Sequence, residues 1–404
     1  MAILPTLSDV AIAAPPPQLA FEKADQLARI FAQSAVERDK RGGTAKAERD
    51  LLRESSLLNL IIPPSLGGWG MDWSDTMKIV RTFARVDSSL AHLFGFQQLM
   101  LASVLLYGSQ SQSEGLLGET VRNKWFWGNA LNPLDKRTSL TPAQPDGYVI
   151  NGRKSFCSGA LDSDMLFVSA IRAHDQKFMV AAIPSGRQGI RIHDDWDSIG
   201  QRQTDSGTVE FRDVLVAHDE FLLSPGPLGS TRASLRACIA QLILSNIFLG
   251  LAEGAFAEAR DYTLAQTRPW IAALGIETSS EDPYILEHYG RFFAHLQAAQ
   301  ALTDLAGESL QRAWESGETV TENQRGRCSI DIAVSKATTT KVGLEITSEM
   351  FEVMGARAAA APARLDRYWR NLRTHTLHDP VDYKLRELGD WALNRKLPKP
   401  SFYS

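Results

Sequence analysis

Cysteine is scarce: Cys157, Cys238 and Cys328 are the three in 404 residues. Their number is odd and no two stand in a CxxC spacing, so neither a disulfide framework nor a paired-thiol metal or redox motif is available. An excess of basic charge is also lacking. Lys and Arg number 43 against 47 Asp and Glu, a formal charge of −4, and without a basic field neither nucleic acid nor an anionic membrane is an expected partner. Residues 1–18, MAILPTLSDVAIAAPPPQ, have no basic start, no unbroken apolar core and no cleavage pattern of an export signal. They read as a flexible N-terminal arm, and the chain as cytoplasmic. The most apolar stretch, 239–257, contains Gln241, Ser245, Asn246 and Glu253, which are expensive in hydrocarbon but suit a helix buried in a bundle. GxSxG, GK[ST] and EF-hand patterns are missing as well, which removes support for simple nucleophilic catalysis and for a P-loop.

What the chain does have is periodicity. From 19 to about 117, Phe21, Ala24, Leu27, Ile30 and Phe31 begin a pattern of three- and four-residue steps that predicts helices. The segment IIPPSLGGWG (61–70) breaks it, because two prolines and three glycines cannot continue a helix, and Ser74 is the expected N-cap of the next one. No strand precedes that loop and no GK[ST] follows it, so it reads as a turn rather than a phosphate cradle. Between 125 and 221 the pattern changes to short β-branched and aromatic runs such as GYVINGRKSF, MLFVSAI, KFMVAAI and GTVEFRDVLV, which predict an antiparallel β unit. Helical periodicity returns over 235–267, 282–315 and 323–354, with a shorter segment ending near 393. The expected fold class is α+β: an N-terminal helical domain over 19–124, a central β domain over 125–227 and a C-terminal helical bundle over 228–404.

Three clusters carry chemistry-bearing side chains. LDRYWRNLRTHTLHDP (365–380) packs three arginines, two aromatics and two histidines into sixteen residues. His375 and His378 share a face if this segment is helical, and imidazole donates, accepts or shuttles protons near neutral pH. A metal pair, or two histidines merely hydrogen-bonded in a turn, are the alternatives. In SSLAHLFGFQQ (88–98), His92 and Phe96 lie one turn apart, with Gly95 between them as a place where a planar ligand approaches the backbone. A core histidine is the plainer reading. In the β unit, Trp125, Trp127, Asn129, KSFCSGA (154–160) and Asp195-Trp196 offer aromatic walls and a few oriented hydrogen bonds for a flat heterocycle, or else ordinary sheet packing.

IIPPSLGGWG, NGRKSFCSGA (151–160) and GQRQTDSGTVEFRDVLV (200–216), in an α–β–α order, resemble the acyl-CoA dehydrogenase superfamily over about 19–393. That resemblance implies its three-part fold, ending in a four-helix bundle, and a homotetramer. Two departures stand out. Where the dehydrogenases present a glutamate base near the chain end, this sequence has His375-Thr-Leu-His378-Asp379, and Met354-Gly355-Ala356-Arg357 replaces the dinucleotide-binding Gly-Gly-x-Gly. An arginine there suits an FMN phosphate better than an FAD pyrophosphate. WRNLRTHTLHDP resembles the flavin-dependent monooxygenase branch that includes dibenzothiophene monooxygenase and related organosulfur monooxygenases.

The resemblance implies reduced FMN delivered by a separate NAD(P)H-dependent flavin reductase, O2, a C4a-hydroperoxide and oxygenation of a thioether, sulfoxide or sulfinate. It places His92 and His378 at the reactive edge of the flavin, with His375 supporting His378. Asn129, Phe156, Ser158 and Trp196 line the flavin and substrate pocket, Ser158 among the catalytic candidates. Ser206, Arg268 and Arg357 bind the phosphate, some from a neighbouring subunit. No metal is implied. Phe96, in the substrate pocket, stands where the resembled branch has a tyrosine. The alternatives are an FAD-dependent acyl-CoA dehydrogenase with its base relocated to Asp379 or to the 235–270 segment, an N- or indole-oxygenase of the same branch, and a non-enzymatic helical interaction protein.

Overall fold

Pro17 opens the first helix, where its missing N–H is no loss and its fixed φ is already helical. The computed structural model describes residues 15–143 and 146–404. The arm expected over 1–18 lies outside the described residues as far as position 14, and Pro17 and Gln18 belong to α1 (Pro17–Arg41) rather than to an arm. α2 (Lys46–Ser55), α3 (Trp73–Ala84), α4 (Ser88–Tyr107) and α5 (Gln110–Asn123) follow. α3 begins one residue before the expected Ser74 cap, with Asp72 as its N-cap. The 61–70 segment is a tight turn in which a Cβ on Gly68 would sit 2.2 Å from the Ile62 carbonyl oxygen, so only glycine fits. α4 is held at its start by Asp87, whose carboxylate accepts from the amides of Ser89 and Leu90.

The strands are β1 (Trp127–Ala130), β2 (Thr138–Pro142), β3 (Tyr148–Lys154), β4 (Met165–Arg172), β5 (Phe178–Pro184), β6 (Ile190–Ile192) and β7 (Val209–Val216). They form one sheet in the order β1-β4-β2-β3-β7-β6, with β5 on β4. The expected antiparallel pairing holds for β2/β3, β3/β7, β4/β5 and β6/β7, but β1 and β2 run parallel to β4. Side-chain alternation records which face a residue takes and not which way the neighbouring strand runs, so the mixed pairing left no trace in the pattern.

α6 (Leu235–Gln266), α7 (Pro283–Glu315), α8 (Glu322–Met354), α9 (Arg367–Thr376) and α10 (Val381–Asn394) complete the chain. α6 packs against α7 and α8, and α10 against α8, which makes the four-helix bundle. The whole apolar stretch of α6 is inside the protein, and the same helix also contacts α3, α4 and α9. α6 is therefore the axis on which the N-terminal helices and the bundle share one apolar core, while the sheet keeps a smaller core of its own.

Candidate active site

α4 is apolar on every face and buried from Ser88 to Val104, so a histidine on it must find a partner inside the protein or cost free energy. His92 finds one on α9. Its Nδ1 lies 3.0 Å from His375 Nε2, and both residues are buried. Phe96 stacks on the His92 ring at 4.1 Å between centroids, and Phe248 of α6 flanks His375 at 6.2 Å. Burial, with a smaller push from His378, drives the His92 imidazole down to about 3, and burial followed by the His92 charge holds His375 well below the ordinary histidine range. Both rings are neutral at pH 7.

Two neutral imidazoles that share one hydrogen bond have two tautomeric arrangements. In one, His375 donates from Nε2, and His92 presents Nε2–H as a donor. In the other, His92 donates from Nδ1, and its Nε2 is a bare acceptor. His92 Nε2 and His375 Nδ1 have no partner among the described residues, so each is left able to bond a group that those residues do not supply.

The His378 side chain belongs to a different arrangement: the backbone N–H of His378 donates to the His375 carbonyl at 3.0 Å, but the two rings do not bond each other. Their shared face required the helix to continue, whereas α9 ends at Thr376 and the chain turns at Leu377. His378 Nδ1 instead meets Asp379 Oδ1 at 2.9 Å, which orients the ring and leaves Nε2 outward. Lys336 of α8 reaches the same Asp379 oxygen at 2.7 Å and Gln241 Oε1 of α6 at 2.6 Å. Burial raises the Asp379 carboxyl, but the hydrogen bond from His378 and the Lys336 ammonium outweigh it and hold it below the usual carboxylate range. A carboxylate so engaged is a poor proton abstractor. The relocated-base alternative fares no better on α6, where Glu253 pairs with Arg85, Glu258 with Arg367 and Asp261 with Arg260.

The sheet supplies a facing set of groups. The Asn129 amide donates to the Ser158 carbonyl at 2.9 Å, Ser158 Oγ lies 2.7 Å from Ser206 Oγ, and Ser206 Oγ lies 2.7 Å from Thr204 Oγ1. Thr204 Oγ1 and Trp196 Nε1 both donate to the Gln201 carbonyl, at 2.9 and 2.8 Å. Phe156 is 62% exposed, holds φ at +61° and sets its ring 6.0 Å from Trp196. The left-handed backbone is strained and the exposed ring leaves apolar surface in water, two costs that point to a ligand-receiving role.

Gln201 was not singled out by sequence reasoning, yet it joins the two halves of the site. With φ at +52° and almost no exposure, its amide donates to Asn371 Oδ1 at 2.7 Å and its Nε2 to Ser88 Oγ at 2.8 Å. Ser88 and Asn371 each lie one helical turn before His92 and His375. A lone glutamine between Gly200 and Arg202 gave no signal. Lys336 was missed for a related reason: one charge on an otherwise ordinary helix says nothing of its partner until α8 is set against the 377–379 turn.

Three expectations move elsewhere. Gly95 serves packing rather than ligand approach, since a Cβ there would meet Ile243 Cγ2 of α6 at 2.6 Å. Trp127 is core, fully buried with Nε1 on Thr120 Oγ1 at 3.0 Å, and Trp125 packs half-buried against the same core. Arg268 and Arg357 are exposed and stand on segments that touch each other, Arg357 Nη2 donating to the Gln266 carbonyl at 2.7 Å and Thr267 Oγ1 to the Met354 carbonyl at 3.2 Å. No hydrogen bond or ion pair between described residues joins either arginine to Ser206. Among the described residues no group of three or more His, Cys, Asp or Glu is placed to hold a metal ion.

A helical domain, a strand layer and a four-helix bundle, with the reactive groups where the three meet, define the acyl-CoA dehydrogenase class. The chain belongs to that family: the models for its N-terminal, middle and C-terminal domains match residues 22–124, 132–214 and 242–383. Within it, the chain is 54% identical over 391 residues to the probable FMNH2-dependent monooxygenase SfnC of Pseudomonas putida, covering 96% of this chain and 98% of the relative. The methanesulfinate monooxygenase MsuC of Pseudomonas fluorescens superposes with a TM-score of 0.93 at 53% identity, over 96% of this chain and 100% of that one. The FMN-bound dibenzothiophene monooxygenase TdsC of Paenibacillus sp. A11-2 does so with 0.91 at 43%, over 95% and 100%.

Proposed function

We propose that this chain is an FMNH2-dependent monooxygenase that oxygenates a small organosulfur compound. The observation that carries the reading is the buried, neutral His92–His375 pair in a site where the carboxylate beside His378, Asp379, is already bound to Lys336 and His378. Such a site lacks the free base that removes an α-proton from an acyl thioester, and it offers uncharged donors instead. Reduced FMN, when bound, supplies the two electrons with which one atom of O2 enters the substrate and the other leaves as water.

The residues present fit that cofactor. The exposed Phe156 with Trp196 provides an aromatic wall, and Asn129, Ser158 and Ser206 provide oriented polar groups. His92 donates from Nε2 when His375 donates from its own Nε2 to His92 Nδ1, so the hydrogen bond between the rings fixes the donor tautomer. His378, fixed by Asp379, holds the outer side of the reacting centre. Phe96 and Phe248 keep water from the pair.

Arg268 and Arg357 bind the FMN phosphate together with Ser206, across a contact between subunits. Supporting this, Arg268 adjoins an exposed apolar loop in which Trp270, Ile271 and Leu274 are largely solvent-facing, a patch of the kind that a homotetramer covers. A separate NAD(P)H-dependent flavin reductase supplies the reduced cofactor, and the enzyme works in the cytoplasm.

The deciding experiment couples the protein to a flavin reductase, FMN and NADH under 18O2, with mass detection of products from a panel of thioethers, sulfoxides and sulfinates. Incorporation of one labelled oxygen per product supports the reading. Dye reduction by an acyl-CoA, with no labelled product from any sulfur compound, would replace it.

A further inference from the structure

Four buried arginines face carboxylates: Arg38 meets Glu48 and Asp87, Arg49 meets Asp205, Arg81 meets Asp304 and Arg367 meets Glu258, while Arg325 bonds the Ser234 hydroxyl and the Ser234 and Ser404 carbonyls. Arg236, in the first turn of α6, does neither. It is 6% exposed, and its Nε donates to Ser103 Oγ at 2.7 Å, while its guanidinium lies 5.8 Å from the Phe167 ring. Among the described residues its two terminal nitrogens have no hydrogen-bond partner, and no carboxylate lies within ion-pair distance. A buried cation left this way is costly and calls for an explanation.

Its surroundings supply one. The charge of Arg236 acts on the hydroxyls of Tyr107 and Tyr403, and neither hydroxyl has a hydrogen-bond partner among the described residues. Tyr403 also sits 6.0 Å, ring to ring, from His378 and lies within the field of Asp379. On α4, His92, Phe96 and Ser103 fall within about 40° of one another, on a single stripe that places Ser103 about 16 Å beyond His92 along the axis. Arg236 therefore stands at the far end of the wall that begins with the paired histidines, with Tyr403 between it and His378.

We propose that Arg236, with the Tyr107 and Tyr403 hydroxyls, is the recognition site for an anionic oxygen group, of the sulfinate, sulfonate or carboxylate type, carried by the substrate. The two free nitrogens of a guanidinium match two oxygens of such a group side by side, which a lysine does not reproduce. The Phe167 ring, 5.8 Å from the guanidinium, offers an apolar surface beside the anion. An apolar sulfur heterocycle would leave the cation unpaired, so the site discriminates by charge. This identification of the ligand as substrate rests on the monooxygenase reading, whereas the anion site does not.

The test uses the flavin-free protein, with methanesulfonate as a non-reacting probe for calorimetry and thermal shift. Binding by wild type is expected to weaken on the order of 10- to 100-fold in Arg236→Met and less in Arg236→Lys. Arg236→Met should fold at least as stably as wild type, because it removes an unpaired buried charge. In the coupled assay, the ratio of kcat/KM for a thioether carboxylate or sulfonate long enough to reach from Arg236 toward His92 to that for a neutral thioether should fall by the same factor, whereas methanesulfinate, whose anionic group is the reacting sulfur itself, is too short to span that distance and should lose no more turnover than the neutral thioether. Equal binding of methanesulfonate by wild type and Arg236→Met, or equal loss of turnover with the long anionic and the neutral thioether, overturns the proposal. Retained Arg236-dependent binding with no oxygenated product from any sulfur compound supports the anion site and overturns the monooxygenase reading instead.

Discussion

Two imidazole environments lie within a few residues of each other and differ in one respect. His92 and His375 are buried with only each other for company, whereas His378 is partly open and rests on a carboxylate that is itself neutralised by Lys336. Without a carboxylate, burial wins, and the pair is held neutral far below the ordinary histidine range. His378 instead bonds one oxygen of the Lys336–Asp379 ion pair, which orients its ring. The same residue type thus stands once in an uncharged pair and once with its ring fixed by a carboxylate, and the difference lies in the second partner.

The harshest way to break this comparison is Lys336→Met. It strips the cation from a carboxylate that is almost fully inside the protein, and removal of one member of a buried pair costs about 3–5 kcal/mol. Urea unfolding of Lys336→Met, Asp379→Asn and the double variant measures it. The double variant should recover most of the loss, since no charge is then left alone. Additive losses would mean that Lys336 and Asp379 do not act as a unit.

Next in size is His92→Phe, which removes the donor and leaves the stacking volume with Phe96. Product yield should fall by about two to three orders of magnitude, the usual effect of losing one positioned donor, while NADH consumption continues and appears as hydrogen peroxide. Quantifying sulfur product and peroxide in the same reaction checks this, and an unchanged product yield removes His92 from the chemistry.

The acid response sharpens the contrast further. With His92 at about 3 in the fold against 6.5 when free, the unfolded chain binds protons that the folded pair refuses. Stability is therefore lost as pH falls from about 6.5 toward 3, by about 1.4 kcal/mol per unit for each such imidazole. Asp379 works in a lower window: its carboxyl is depressed from 3.8, so its contribution is present above that value and lost beneath it. Denaturation midpoints between pH 7 and 4 should fall steadily in wild type and less steeply in His92→Phe. Identical slopes would show that His92 is not held neutral by burial.

Much of this architecture was legible beforehand because helices write their burial into the chain at a fixed period. The stretches expected at 235–267, 282–315 and 323–354 became α6, α7 and α8 with ends shifted by about one residue. The clusters around His92, Ser158 and His375 were visible because unusual side chains crowd a short span. What stayed hidden was pairing across distance. His375 chose His92 over His378 because α9 stops at Thr376, and Gln201, Lys336 and Arg236 are single polar residues whose meaning lies in what a remote segment brings to them. Gly95 misled for the same reason, its purpose being the approach of Ile243.

The gentlest probe acts on the pair's own neighbour. Phe96 lies 4.1 Å from His92 in a stacked arrangement and is 7% exposed, so Phe96→Tyr adds one hydroxyl at the rim of the neutral environment and disturbs little else. A buried hydroxyl requires a partner, and the candidates within the site are the substrate or the unpartnered His92 Nε2. If it bonds the substrate, kcat/KM changes by less than about tenfold and in opposite directions for sulfoxides, which accept a hydrogen bond, and thioethers, which accept one poorly. If it bonds His92, turnover falls for every substrate together, because the donor tautomer is engaged before the reaction begins. Comparing the two substrate classes in one coupled assay separates these outcomes. A uniform fall would mean that the absence of a hydroxyl at position 96 keeps the histidine pair free.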